Sequence, residues 1–155
     1  MTEFELSLRA EQYLRPYPTH GKERKIACVL FVLEILSPFS QEIKQLEERL
    51  RGLDFSLSKK ELIQSGYFLK FIRGTGLRLL EPEKPEPGDI LLLKEYSSRI
   101  DHLGLYIGND LYVHLDRARG DRGGITSFSG NRGRVLKLAR AELGNRIRIT
   151  EEKNG

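Results

Sequence analysis

Cysteine is almost missing from this sequence: Cys28 stands alone among 155 residues. That excludes an intramolecular disulfide and any zinc site built from several cysteines. Without a disulfide framework, the cytoplasm is the default compartment. Long apolar runs are missing too. The longest, IACVLFVLEIL at residues 26–36, already carries Glu34 and falls short of the roughly 18 residues of a membrane-spanning helix. The N-terminal MTEFELSLRAEQYL has acidic residues early and no apolar stretch followed by a small-residue cleavage site, so no secretory leader is read there. No internal repeat is found, and histidine occurs three times, at His20, His102 and His114.

What is present describes a globular protein. Hydrophobic residues make up 39% and charged residues 31%, and the length fits one domain over residues 1–155. The net charge is +4, and DRARGDRGGITSFSGNRGR supplies five arginines between residues 116 and 134. This basic stretch favours an anionic partner. No interleaved aromatics or RNA-binding signature accompany the arginines, which argues against nucleic acid.

The linker-like EPEKPEPGD, residues 81–89, holds three prolines that block both helix and central strand. It divides a mainly helical half, 1–80, from a mainly β half, 81–155. KIACVLFVLEILS is apolar nearly all round and stops before Pro38, as a buried helix does. SQEIKQLEERLRG sets Ile43, Leu46 and Leu50 on one face and ends at Gly52, read as a left-handed cap. In LSKKELIQSG, Ser58 and Glu61 form a capping box, Leu57 and Leu62 a staple, and Gly66 closes the helix. Beyond the prolines, DILLLKEY, HLGLYI, LYVHL, GITSF and RIRIT read as strands, and RVLKLARAEL is ambiguous between strand and helix. Helices followed by strands predict an α+β domain around an antiparallel sheet.

The segment IDHLGLYIGNDLYVHLD, residues 100–116, defines its own register. Alternation puts Leu103, Leu105 and Ile107 on one face, and Leu111, Val113 and Leu115 on one face of the next strand. For all six to share the buried side, Gly108, Asn109 and Asp110 form a three-residue loop. Residue 104 then faces 114, and 102 faces 116. His102, Gly104, Tyr106, Tyr112, His114 and Asp116 occupy the other, polar face, with the two imidazoles as diagonal neighbours. Gly104 leaves room across from His114. A third metal ligand is not evident, so no metal or cofactor is expected.

Cys28 falls near the start of its helix, just after Gly21, Lys22, Arg24 and Lys25. The helix dipole and these cations are expected to favour thiolate and lower the thiol pKa. A helix-start cysteine facing a sheet histidine is the arrangement that thiol-dependent acyl transfer requires.

Three pieces of the chain together resemble the NlpC-type papain-like cysteine peptidases, bacterial cell-wall peptide endopeptidases and amidases. The most specific runs from Pro87 to Leu115, PGDILLL…IDHLGLYIGNDLYVHL. It is similar to the family's Pro-Gly-Asp strand, its His-x-Gly-(Ile/Leu)-Tyr-(Ile/Leu)-Gly-Asn strand and a following strand ending in an imidazole. The others are Cys28 on an apolar helix, and PYPTHG with Tyr17 upstream. The resemblance implies a papain-like fold, N-terminal helices carrying the nucleophile against a C-terminal antiparallel sheet. It implies Cys28 as nucleophile, His102 as general base and His114 as the group orienting it. Tyr17 would contact substrate or line the oxyanion site, with the Cys28 backbone N–H as oxyanion donor, and Asp116 would be a fallback orienter.

The implied reaction is amide hydrolysis through a thioester, on a peptide or amide substrate, foremost the stem peptide of peptidoglycan, with no membrane partner. An enzyme of that kind without a leader would reach its substrate by lysis, a phage or a specialised secretion route. The chain departs from the family's Asp-Cys-Ser-Gly: Ala27 and Val29 flank the cysteine, and Leu30 replaces the glycine. The stretch Ser40 to Gly66 exceeds what a minimal member needs and is expected to lie over the groove. Two alternatives remain: a cytosolic thiol amidase or acyl hydrolase with another substrate, and a non-catalytic module binding a polyanion through Arg117 to Arg134.

Overall fold

The computed structural model describes residues 2–19, 21–53, 58–73 and 75–141. Five helices precede or flank the first strand, and a six-stranded antiparallel sheet follows. This is the α+β order read from the sequence.

Helix α1, Glu3–Glu11, was not foreseen, although its signal is in the sequence. Thr2 accepts from Glu5 N at 3.1 Å and Glu5 reaches back to the Thr2 N–H, a reciprocal cap that satisfies two orphan donors. Helix α2, Ala27–Leu36, is preceded by a 3₁₀ turn, Gly21–Ile26. Every α2 residue except Glu34 is buried, because the helix lies between the sheet and its helical neighbours α1 and α3. Each large aliphatic side chain buried there contributes about 1.5–3 kcal/mol.

Glu34 is tolerated in this apolar run because it accepts from the Tyr13 hydroxyl at 2.7 Å, the Tyr17 hydroxyl at 3.0 Å and Arg51 Nη2 at 2.8 Å. Helix α3, Gln41–Arg51, buries Ile43, Leu46 and Leu50 as its spacing predicts, and Ser40 caps it through Ile43 N.

Gly52 ends α3 at φ −86°, an ordinary right-handed value, so the left-handed cap expected there is not formed. Gly66 does take the left-handed conformation, φ 76°, between α4, Lys59–Gln64, and α5, Tyr67–Arg73. The Ser58–Glu61 capping box is present. The expected staple partner Leu57 lies outside the described residues, as does RIRIT.

The sheet runs β1-β6-β2-β3-β4-β5. Its strands are β1 Arg78–Leu80, β2 Ile90–Leu93, β3 His102–Gly108, β4 Leu111–Asp116, β5 Arg122–Ser127 and β6 Val135–Arg140. Within the ambiguous RVLKLARAEL, Val135–Arg140 is thus a strand, and it inserts between β1 and β2. The proline-rich stretch is more than a linker. Gly88 N donates to Tyr106 O at 2.8 Å, and Tyr106 N donates to Asp89 O at 2.9 Å. The fully buried Asp89 carboxylate takes a two-pronged bond from Arg140 of β6, 2.9 and 2.7 Å. Asp89 of the PGD sequence therefore clamps the sheet rather than serving chemistry.

The β3–β4 register matches the expectation at its centre: Gly104 pairs with His114, Leu105 with Val113 and Tyr106 with Tyr112. The turn itself differs. Asn109 and Asp110, φ 53° and 62°, form a two-residue turn, and the odd residue is absorbed as an irregularity between Tyr106 and Gly108. Both solutions keep the same faces together.

One face holds Leu103, Leu105, Ile107, Val113 and Leu115 against α2, while Leu111 at the turn stays 36% exposed. The other face is not a solvent face, contrary to the expectation. His102 is 1% exposed, His114 9% and Tyr112 1%. A second apolar cluster of Leu91, Leu93, Tyr112, Phe128, Val135 and Leu138 covers much of it.

Candidate functional site

The two imidazoles are brought together. His102 Nε2 lies 2.9 Å from His114 Nδ1, with the rings edge to face at 89°. His114 Nε2 in turn lies 3.0 Å from the Thr126 hydroxyl on β5. Thr126 was missed in the sequence. It stands opposite Tyr112, which makes it a diagonal neighbour of His114. The 3₁₀ turn Arg117–Arg119 and the left-handed Gly120 connect β4 to β5, a link whose length gives no register in advance.

This chain of contacts orders the protons. If His102 Nε2 donates to His114 Nδ1, then His114 Nε2 carries its proton and donates to Thr126, and His102 Nδ1 is an unprotonated acceptor. That nitrogen is buried and has no hydrogen-bond partner among the described residues. The reverse tautomers would leave an orphaned buried N–H there, the rarer and costlier defect.

Cys28 occupies the second position of α2 and is fully buried. The main chain at Leu103, directly after His102, favours its charged form. His102 Nδ1 makes no hydrogen bond to Cys28 or to any other described residue. Ile26, at the head of α2, supplies no side-chain cap to the first-turn N–H groups.

Electrostatics corrects the expectation of a depressed thiol. Burial raises the Cys28 pKa, and the opposing pull of Lys59, Leu103 and Arg117 does not overcome it. The cations that act on Cys28 are Lys59 of α4 and Arg117 of the turn after β4. Burial also lowers the His102 pKa to about 3, helped by His114, Lys59 and Arg117. His114 is lowered by burial, with Asp116 pulling the other way. The resting pair is therefore neutral thiol and neutral imidazole.

Two proposed members stand elsewhere. The Tyr17 hydroxyl is held by Glu34 at 3.0 Å and Arg51 at 3.3 Å, and Glu34 lies about 9 Å further along α2 than Cys28. The structure thus gives Tyr17 a place in the core network instead of a substrate contact. Asp116 caps the turn that follows it, accepting from Ala118 N at 3.1 Å, and meets Arg119 at 3.5 Å. Thr126, not Asp116, terminates the histidine chain. Gly104 also has a different occupant across from it: a Cβ there would sit 2.7 Å from the Tyr112 ring, so the space serves Tyr112, which lies under His114 at 5.4 Å between ring centres.

A cavity of about 740 Å³ adjoins this region, lined by Lys59, Lys60 and Ile63 of α4, by Tyr96 to Arg99, and by Asp101 and Arg117. Asp101 is buried, and its two oxygens accept from Glu95 N and Tyr96 N at 2.7 and 2.8 Å, which folds the loop before β3 into the cavity wall. Among the described residues, no group of three or more His, Cys, Asp or Glu side chains converges as a metal site, and no helix is long and apolar enough to cross a membrane.

Among solved structures, the chain is similar to the NlpC/p60 domain of the peptidoglycan hydrolase SagA, with 15% identity over 91% of this chain and 99% of that one, and a TM-score of 0.48. No family model and no curated protein matches.

Proposed function

We propose that the protein is a cysteine-dependent amide hydrolase with Cys28 as nucleophile, His102 as general base and His114 as its orienting partner. The observation that carries this reading is the buried Nδ1 of His102, which has no hydrogen-bond partner among the described residues while Nε2 is backed by His114 and, through it, Thr126. An imidazole with one nitrogen locked and the other vacant is what a general base needs.

The chemistry runs from a neutral pair. As the sulfur attacks the carbonyl carbon, the thiol proton passes to His102 Nδ1, and the charge that appears on His102 is shared with His114. The Cys28 backbone N–H, at the uncapped head of α2, faces the developing oxyanion. His102 then returns the proton to the leaving amine as the C–N bond breaks, giving a thioester. Water attacks the thioester, His102 takes its proton, and the carboxylic acid product leaves the thiol free.

Peptidoglycan stem peptides are the first substrate, on the strength of the motif from Pro87 to Leu115. Purified sacculi incubated with wild type release soluble fragments carrying new amine ends, and Cys28→Ala and His102→Ala release none. Fragment release unchanged in Cys28→Ala would refute the assignment. Ala27 and Val29 beside the thiol support a second reading, a thiol amidase or acyl hydrolase with a different amide or ester, which would leave sacculi intact yet hydrolyse small activated esters in a Cys28-dependent way.

A further inference from the structure

The cations of the large cavity are accounted for within the fold. Asp101 and Asp121 both favour the charged form of Lys59, and Arg117 Nε meets Asp121 Oδ1 at 3.5 Å. Lys60 and Arg99 are exposed and keep their charged ends in water. What the wall offers a ligand besides is apolar: Ile63, Ala118 and the ring of Tyr96, which is 66% exposed. A large aromatic ring left uncovered on a cavity lining is surface that a ligand can bury.

A smaller cavity of about 190 Å³ adjoins the large one, and Ile63 and Arg99 line both. Apart from Arg99, its wall is Ile63, Gly66, Leu69 and Ile100. Gly66 makes the corner between α4 and α5 at φ 76°, which sets Ile63 and Leu69, three residues to either side, around one space. Ile63, Leu69 and Ile100 rest on the main core with part of their surface uncovered. Water gains few partners on aliphatic walls, and an apolar space on the order of 150 Å³ holds a group the size of a benzene ring. Ile100 stands two residues before His102, at most about 7 Å along the chain, and Asp101 between them lines the large cavity. A side chain seated in the small cavity therefore belongs to a residue at or next to the bond presented to His102.

We propose that the small cavity is a subsite for a branched aliphatic side chain, so that the enzyme selects amides carrying a leucine-like residue next to the scissile bond. This rests on the hydrolase reading above and gives its second form, the amidase acting away from stem peptides, a substrate class. It also gives the α4–α5 corner a task, since Ile63, Gly66 and Leu69 come from it.

Binding is measured on Cys28→Ala protein, so nothing is turned over. N-acetyl-leucinamide, N-acetyl-alaninamide and the α-amide of N-acetyl-glutamate are titrated in and followed by NMR chemical shifts. The leucine compound binds at least about tenfold more tightly than the alanine compound, the gain from burying roughly two further methylene-sized groups, and it moves the methyl resonances of Ile63, Leu69 and Ile100. The glutamate compound binds no more tightly than the alanine compound. Leu69→Phe, which fills the cavity, brings the leucine-to-alanine ratio below about threefold, and Leu69→Ala, which enlarges it, transfers the preference to N-acetyl-phenylalaninamide. Equal binding of the leucine and alanine compounds, tighter binding of the glutamate compound, no binding of any, or a leucine preference unmoved by both variants each overturns the proposal. Circular dichroism of each variant separates lost binding from lost fold. Leucine-selective binding without Cys28-dependent hydrolysis of N-acetyl-leucine p-nitroanilide would refute the hydrolase reading and leave the cavity a ligand site. Cys28-dependent hydrolysis of the leucine and alanine anilides at equal rates would refute the subsite alone.

Discussion

His102 Nε2 and His114 Nδ1 lie 2.9 Å apart, and the other nitrogen of each ring has an opposite fate: His114 Nε2 meets Thr126, while His102 Nδ1 has no hydrogen-bond partner among the described residues. In the proposed mechanism that asymmetry distinguishes a base from its support. His114→Ala leaves a buried N–H of His102 unsatisfied, costing about 1–3 kcal/mol of stability, and lowers amidase kcat/KM on the order of 10²–10⁴-fold. His114→Gln, which can still accept, recovers part of the activity. Thr126→Val costs about 1 kcal/mol and a smaller share of rate. Denaturant melts and steady-state kinetics on the three variants check the order.

Acid should destabilise the fold through the histidines. His102 titrates near pH 3 when folded and near its ordinary 6.5 when unfolded. Between those values the unfolded chain binds more protons, so stability is full above about pH 6.5 and falls as pH drops toward 3. The limiting slope from His102 is about 1.4 kcal/mol per pH unit, and His114 adds in the same direction. Urea unfolding at a series of pH values shows this slope in wild type and a shallower one in His102→Gln.

Cys28 is predicted to be a slow thiol at rest. Its burial and raised pKa make alkylation by iodoacetamide in the folded protein at least about tenfold slower than in urea, with a rate that climbs only above the ordinary thiol range near pH 8.5. Lys25→Gln leaves that profile in place. A fast reaction at pH 6 would show that the site rests as an ion pair after all.

The Asp89–Arg140 pair ties the start of β2 to β6. Asp89 is fully buried, and Arg140 reaches it across the strand order through two short bonds. Arg140→Ala removes the guanidinium partner of a desolvated carboxylate and costs about 3–5 kcal/mol. Asp89→Asn combined with Arg140→Leu costs less than Arg140→Ala alone, measured as a shift in denaturation midpoint.

Gly104→Ala drives a methyl group into the Tyr112 ring and should cost about 1–3 kcal/mol, with His114 displaced through its contact with Tyr112. Thermal melts and the His114 imidazole resonances report the two effects separately.

The sequence determined what depends on near neighbours and on alternation. Apolar periodicity specified α2 and α3, Ser58 with Glu61 specified a cap, and six aliphatic positions fixed which residues of β3 and β4 share a face, hence the pairing of Gly104 with His114. Tertiary structure decided what depends on residues distant in the chain. Phe128, from the segment after β5, together with Leu91 and Leu93 of β2 and Val135 and Leu138 of β6, buries the face that alternation had marked as polar, and burial reverses the electrostatic sign expected from the cations ahead of Cys28. Thr126 joins the histidines only through a β4–β5 register that no turn signal announces. Tyr17 is drawn into the Glu34 network because Arg51, from α3, arrives there. Local rules assign side chains to faces, but desolvation is set by whatever the rest of the chain lays over that face, and here it decides the charge state of the thiol and both imidazoles.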